Sequence, residues 1–123
     1  MKWTITYDDV EKMVTLKTEG VFDKQSNLEQ RKDLIEAVKK HNPRACLLDH
    51  SLITSVEVTA LDIFEMPRAY AEAGVAGTFR LAVVGPESFR KTGEFFETVS
   101  RNFGYTVSLF GDIDSAKKWL KGE

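Results

Sequence analysis

The spacing of hydrophobic residues changes several times along the chain, and each change marks an element. Trp3, Ile5 and Tyr7 alternate with Thr4 and Thr6, a period of two that predicts a half-buried strand. Asp8-Asp9 begins a turn. Alternation resumes from Met13 to Thr18, with Val14 and Leu16 on one side and Thr15 and Lys17 on the other, so the two runs predict an opening antiparallel hairpin. Gly20 ends or bends the second strand and leaves Val21 and Phe22 to pack. The period then lengthens: Leu28, Leu34, Ile35 and Val38 form an apolar stripe between charged positions, predicting a helix from about Ser26 to His41. Ser26 and Glu29 stand at capping-box spacing, and Asn42-Pro43 stops the helix.

Alternation then disappears. Ala45, Cys46, Leu47 and Leu48 make an apolar run that predicts a central strand covered on both faces and ending at Asp49. A polar loop to Val58 follows. Thr59 and Asp62 repeat the capping-box spacing and open a helix with Leu61 and Phe64 on its inner face. Pro67 either breaks that helix or occupies the first position of a second one running to Ala73. Gly74 and Gly77 flank a turn, and residues 79–84 form another buried strand. Pro86 to Asn102 reads as a helix with Phe89, Phe96, Val99 and Phe103 as its stripe. Gly93 allows a neighbour close to it, and Gly104 follows its end. Residues 105–110 form a strand, Asp112 an N-cap, and Ile113, Ala116 and Leu120 line a short final helix. The order ββαβαβαβα predicts one α/β domain over residues 1–123. Its mixed sheet has about five strands, an N-terminal hairpin, four helices (α1–α4) and right-handed crossovers. Open α/β sheets bind ligands beyond the carboxyl ends of their strands, which directs attention to residues 44–65.

Composition narrows the classes. A length of 123 residues fits one domain, and 42% apolar with 29% charged residues is ordinary for a globular chain. A net charge of −2 argues against nucleic acid as a partner, since phosphate binding needs a concentrated basic face. Lys117, Lys118 and Lys121 read as a solvated helix face. No apolar run approaches the ~20 residues of a membrane span. The single cysteine, Cys46, excludes an intrachain disulfide and sits where it serves as a small hydrophobe. With no signal-like apolar segment at the start, the expected location is cytoplasmic.

Candidate chemistry is sparse. Asp49, His50 and Ser51 invite a triad, but adjacent strand residues point to opposite faces and do not converge. The simpler account has Asp49 and Ser51 bonding to backbone N–H groups where the strand turns. His41, Cys46 and His50 lack zinc spacing. Gly74-Val75-Ala76-Gly77 lacks the lysine of a phosphate loop, and Ser88 does not lie in a nucleophile elbow. No catalytic residue, metal or cofactor is assigned, and a hydrolase using Asp49, His50 or Ser51 is the weakest alternative. Aromatic residues are more suggestive. Phe89, Phe95, Phe96 and Phe103 crowd one helix, with Phe95 and Phe96 about 100° apart. Leu61, Phe64, Phe89, Phe95 and Phe96 form a candidate apolar pocket, with core packing as the simpler account.

The run LLDHSLITSVEVTALDIF, residues 47–64, resembles the signature of STAS domains, the fold of anti-sigma-factor antagonists in bacterial partner switching. Asp49, Ser51, Ile53, Thr54 and Leu61 carry the match. Over nearly its full length the chain resembles the SpoIIAA-like group, often described as STAS/SEC14 domains. The shared features are the RLAVVG strand, the aromatic-rich helix and the SLFGDIDSAKKWL ending. The resemblance implies a STAS-like fold and a non-enzymatic regulatory or binding module. Its partner would be a protein or a second copy as a homodimer, bound through the loop after the third strand, with Asp49, His50, Ser51, Thr54, Ser55 and Glu57 as the surface. The SEC14 side implies instead a lipid or small apolar ligand. The pattern's phosphorylated serine falls at Val58, which has no hydroxyl. Thr59 takes the next position as candidate phosphoacceptor, although N-capping is its simpler role.

Overall fold

In the computed structural model, which describes residues 1–122, the hairpin consists of β1 (Lys2–Asp8) and β2 (Met13–Asp23). Helix α1 (Lys24–His41) leads to β3 (Ala45–Glu57), α2 (Ala60–Glu72) and β4 (Arg80–Val84). A 3-10 turn at Glu87–Phe89 enters α3 (Arg90–Asn102), and β5 (Thr106–Phe110) and α4 (Ile113–Leu120) complete the order ββαβαβαβα. Spatial order in the sheet equals chain order, β1-β2-β3-β4-β5, with β1 antiparallel to β2 and the other pairs parallel. Successive crossovers that step the same way with the same hand stay on one side of the sheet. Accordingly α1, α2 and α3 pack side by side over one face, while α4 covers β3, β4 and β5 on the other.

The apolar run in β3 explains this layering. Cys46 and Leu48 enter the main core with Val14, Leu16, Leu81, Val83 and Val107, under Leu34, Ile63, Met66, Phe96 and Val99 of the helices. Ala45 and Leu47 face the other way, onto Ala116 and Leu120 of α4 together with Ala82 and Val84. Each fully buried Leu, Val or Phe contributes about 1.5–3 kcal/mol, so both layers hold the sheet. Arg80 fastens α4 to the sheet by donating to the Trp119 carbonyl at 2.6 Å, with its guanidinium 5.2 Å from that indole's centre.

Four expectations need correction. First, β3 does not stop at Asp49. It runs to Glu57 because β2 continues beside it, past Gly20, to the pair Asp23↔Glu57, with register shifts at Lys17/Glu19 and Gly20/Val21. Gly20 has φ 105°, so it bends the strand where a side chain would strain it. Second, α1 begins at Lys24 with Asp23 as its cap. Asp23 accepts from the Ser26 N–H at 2.9 Å and the Ser26 hydroxyl accepts from the Asp23 N–H at 3.1 Å, so Ser26 is the third residue of the box and not the cap. Third, Pro67 neither ends α2 nor opens a second helix. It lies buried inside α2, whose tertiary packing offsets the lost backbone bond. Fourth, the segment from Pro86 is a 3-10 turn before the α-helix starts at Arg90.

Candidate functional site

β4 ends opposite Asp49, where Val84 pairs with it, so the remainder of β3 has β2 on one side and no strand on the other. The segment expected as an interaction loop, Asp49 to Glu57, is therefore a two-stranded arm leading into α2. Its residues divide sharply. Asp49 and His50 are buried, whereas Ser51, Leu52, Thr54 and Glu57 are exposed and Ser55 is half-exposed. Asp49 Oδ1 accepts from the Ser51 N–H at 3.0 Å and from the Ser51 hydroxyl at 2.6 Å, which closes the strand locally. Ser55 donates to Glu57 at 3.0 Å.

His50 is 3% exposed and belongs to the core, which corrects its place on an exposed surface. Its ring lies 5.4 Å from Phe22 and 5.2 Å from Phe89, and its Nδ1 is 2.7 Å from the Thr18 hydroxyl oxygen. Thr18 Oγ1 also donates to the Asp49 carbonyl at 3.4 Å. Both contacts are satisfied together when Nδ1–H donates to Thr18. Burial pushes the imidazole down to about 4, against a smaller opposing effect of the Asp49 charge. A neutral, enclosed imidazole whose hydroxyl partner is buried Thr18 on β2 does not form a Ser–His–Asp relay with its sequence neighbours. Burial likewise drives the Cys46 thiol up to about 12, far from a thiolate at neutral pH. Among the described residues no group of three His, Cys, Asp or Glu gathers in a metal-binding arrangement, and no helix is long and apolar enough to cross a membrane.

At the end of the arm, Thr59 caps α2 as its spacing predicts. Its hydroxyl accepts from the Asp62 N–H at 3.2 Å, and Asp62 accepts from the Thr59 N–H at 2.9 Å. Thr59 is exposed, while Val58 packs half-buried against the main core. The five residues of the candidate pocket do not converge. Phe89 and Phe96 lie inside the core, whereas Leu61, Phe64 and Phe95 face outward. A cavity bordered by Leu34, Tyr70 and Phe79 measures only ≈ 10 Å³, the space of one water, and none of the five lines it. The adjacent pair Phe95-Phe96 necessarily diverges on a helix, and α3 buries only the second of them. On α2, Leu61 is 66% and Phe64 41% exposed, and Phe64 meets the exposed Phe103 edge-on at 6.5 Å. That contact joins α2 to the end of α3, and nothing in the local spacing signals it.

A second concavity was not signalled by the sequence. β4 feeds α3 on one face and β5 feeds α4 on the other, so the chain diverges beyond these two strand ends. A groove of ≈ 630 Å³ opens there beside Gly85, Glu87, Arg90, Glu94, Glu97 and Phe110. Arg90 is held within it by Glu94 at 2.9 Å and Glu87 at 3.4 Å, so its charge is answered internally.

These features define a SpoIIAA-like α/β domain, and solved structures share the fold. An anti-sigma factor antagonist from Mycobacterium paratuberculosis superposes with a TM-score of 0.66 at 16% identity, over 98% of this chain and 95% of that one. The unphosphorylated form of the anti-sigma factor antagonist SpoIIAA gives a TM-score of 0.66 at 10% identity, over 99% and 98%. A DUF3478-family protein with a SpoIIAA-like fold, from Shewanella loihica PV-4, gives 0.60 at 15% identity, over 97% and 92%. No protein-family model matches the chain, and no curated protein matches it in sequence. The resemblance carried by residues 47–64 and the similarity of the whole fold thus point to the same structural group.

Proposed function

We propose that the chain is a non-enzymatic, cytoplasmic regulatory module that binds a protein partner where the free arm of β3 meets the start of α2. The observation that carries this reading is the surface itself. Leu52 on the arm and Leu61 and Phe64 on α2 are 47%, 66% and 41% exposed, on two consecutive segments that also expose the polar side chains of Ser51, Thr54 and Glu57. Protein-binding surfaces combine large apolar side chains with polar ones, and both kinds are exposed here. The fold supports the reading, since two of its structural neighbours are named as anti-sigma factor antagonists. Enclosure of His50 removes from solvent the base that a hydrolase using Asp49, His50 or Ser51 would need, and Cys46 is buried as well.

Thr59 is the exposed hydroxyl nearest the position where the family pattern carries its phosphoserine. A phosphate there meets the favourable field of a helix N-terminus, but it also displaces the cap and faces the Asp62 carboxylate. The test is capture of partners from native lysate on wild type and on Leu61→Asp/Phe64→Asp, followed by titration of any retained protein. The expected result is specific capture by wild type, abolished in a variant whose circular dichroism is unchanged. Equal capture by both, or none by wild type, contradicts the reading.

A further inference from the structure

The two outermost strands of the sheet are treated differently. β5 is masked by α3: Glu97 accepts from the Leu109 N–H at 2.7 Å, and Arg101 donates to the Val107 carbonyl at 3.1 Å. Those side chains occupy the backbone groups that another strand would use. β1 carries no such mask. Among the described residues no other segment pairs with its outer side. Its register on β2 runs without a bulge from Lys2↔Glu19 to Asp8↔Met13, and it contains no proline. Beside it a groove of ≈ 400 Å³ opens between β1 and α1, lined by Trp3, Ile5, Asp33, Glu36 and Lys40 among others. A bare strand of seven residues with no bulge is a template for pairing.

The sequence of β1 identifies the occupant. Pairing β1 antiparallel with its own copy about Ile5 sets residue 2 opposite 8, 3 opposite 7, and 4 opposite 6. Lys2 then faces Asp8, Trp3 faces Tyr7, Thr4 faces Thr6, and Ile5 faces Ile5 across the two-fold axis. Each of these is a favourable cross-strand combination: opposite charges, aromatic with aromatic, hydroxyl with hydroxyl, and aliphatic with aliphatic. A two-fold interface requires this kind of self-complementarity. The groove follows the same rule, with Asp33 and Glu36 toward one end of the α1 segment and Lys40 toward the other. An antiparallel copy brings the opposite signs together.

We propose that β1 pairs antiparallel with β1 of a second copy, in the register that places Thr4 opposite Thr6, and so joins two domains into one continuous ten-stranded sheet. This surface is separate from the β3–α2 face and does not rest on the function proposed for that face.

Thr4 and Thr6 are exposed on the side of β1 away from α1, and Thr4 lies opposite Lys17 of β2, so Glu is well placed at position 4 within one chain. Sedimentation velocity of the full chain is compared for wild type, T4E/T6E and T4E/T6K. Wild type is expected to sediment as a dimer, twice the 13.9 kDa chain mass. T4E/T6E sets Glu opposite Glu at two places and is expected to be monomeric. T4E/T6K sets Glu opposite Lys and is expected to dimerise about tenfold or more tightly than T4E/T6E. The Leu61→Asp/Phe64→Asp variant is expected to keep the dimer. A monomeric wild type, equal association of the two β1 double variants, or loss of the dimer only when Leu61 and Phe64 are replaced overturns the proposal.

Discussion

Acidification isolates the contribution of His50. In the folded chain burial holds this imidazole at about 4, whereas in the unfolded chain it titrates near 6.5. Between these values the unfolded state binds a proton that the folded state refuses, so stability falls as pH falls. The loss is absent above about pH 7, proceeds at about 1.4 kcal/mol per unit between 6.5 and 4, and flattens below 4, for a total of about 3 kcal/mol. Stabilised carboxylates titrate in a lower window. Asp23 and Asp112 are held below their ordinary 3.8 by hydrogen bonds from Ser26 and Ser115, so their contributions are lost only on further acidification. Urea unfolding followed by tryptophan fluorescence from pH 7.5 to 4.5 measures the His50 window. His50→Gln removes the titration and leaves a group able to bond to Thr18. Its stability should be nearly flat over that range while the wild type declines by about 2–3 kcal/mol. A wild type as stable at pH 4.5 as at 7.5, or an equal decline in His50→Gln, refutes the enclosure of a neutral imidazole between Phe22 and Phe89.

Further outcomes follow from local geometry. Gly93→Ala places a Cβ 2.7 Å from a Leu109 methyl and 2.9 Å from the Phe89 ring; overpacking of this kind costs about 1–3 kcal/mol, read as a lowered urea midpoint. Thr59→Ala removes the hydroxyl that caps α2 and should cost about 1 kcal/mol, with Thr59→Ser restoring most of it. Cys46, buried and with its thiol pushed up to about 12, should resist a thiol reagent in the native protein and react promptly in urea. Rapid native labelling would show that β3 opens near Cys46.

Much of this fold is written locally. The apolar run Ala45–Leu48 declares a strand buried on both faces, Thr59 with Asp62 declares a helix start, and Gly104 and Asp112 stand at the helix ends their chemistry suits. What was not legible depends on partners distant in sequence. Ser51–Glu57 looks like a loop because it is polar, and becomes a strand only because β2 extends past Gly20 to pair with it. Ser26 fits one capping pattern with Glu29 and another with Asp23, and the end of β2 at Asp23 selects the second. Pro67 reads as a breaker until burial in α2 supplies the compensating contacts. The candidate site divides on the same principle. Thr54, Glu57 and Thr59 are exposed, whereas His50 was drawn inward by Thr18, Phe22 and Phe89, none of them near it in sequence.

The most direct test of the proposed binding face is amide hydrogen exchange on the chain with and without a captured partner. Protection on binding should concentrate in residues 51–64, the arm of β3 and the first turn of α2, with β4 and the buried part of β3 unchanged. Protection confined to other elements, or a partner that leaves residues 51–64 exchanging as in the free chain, contradicts the account.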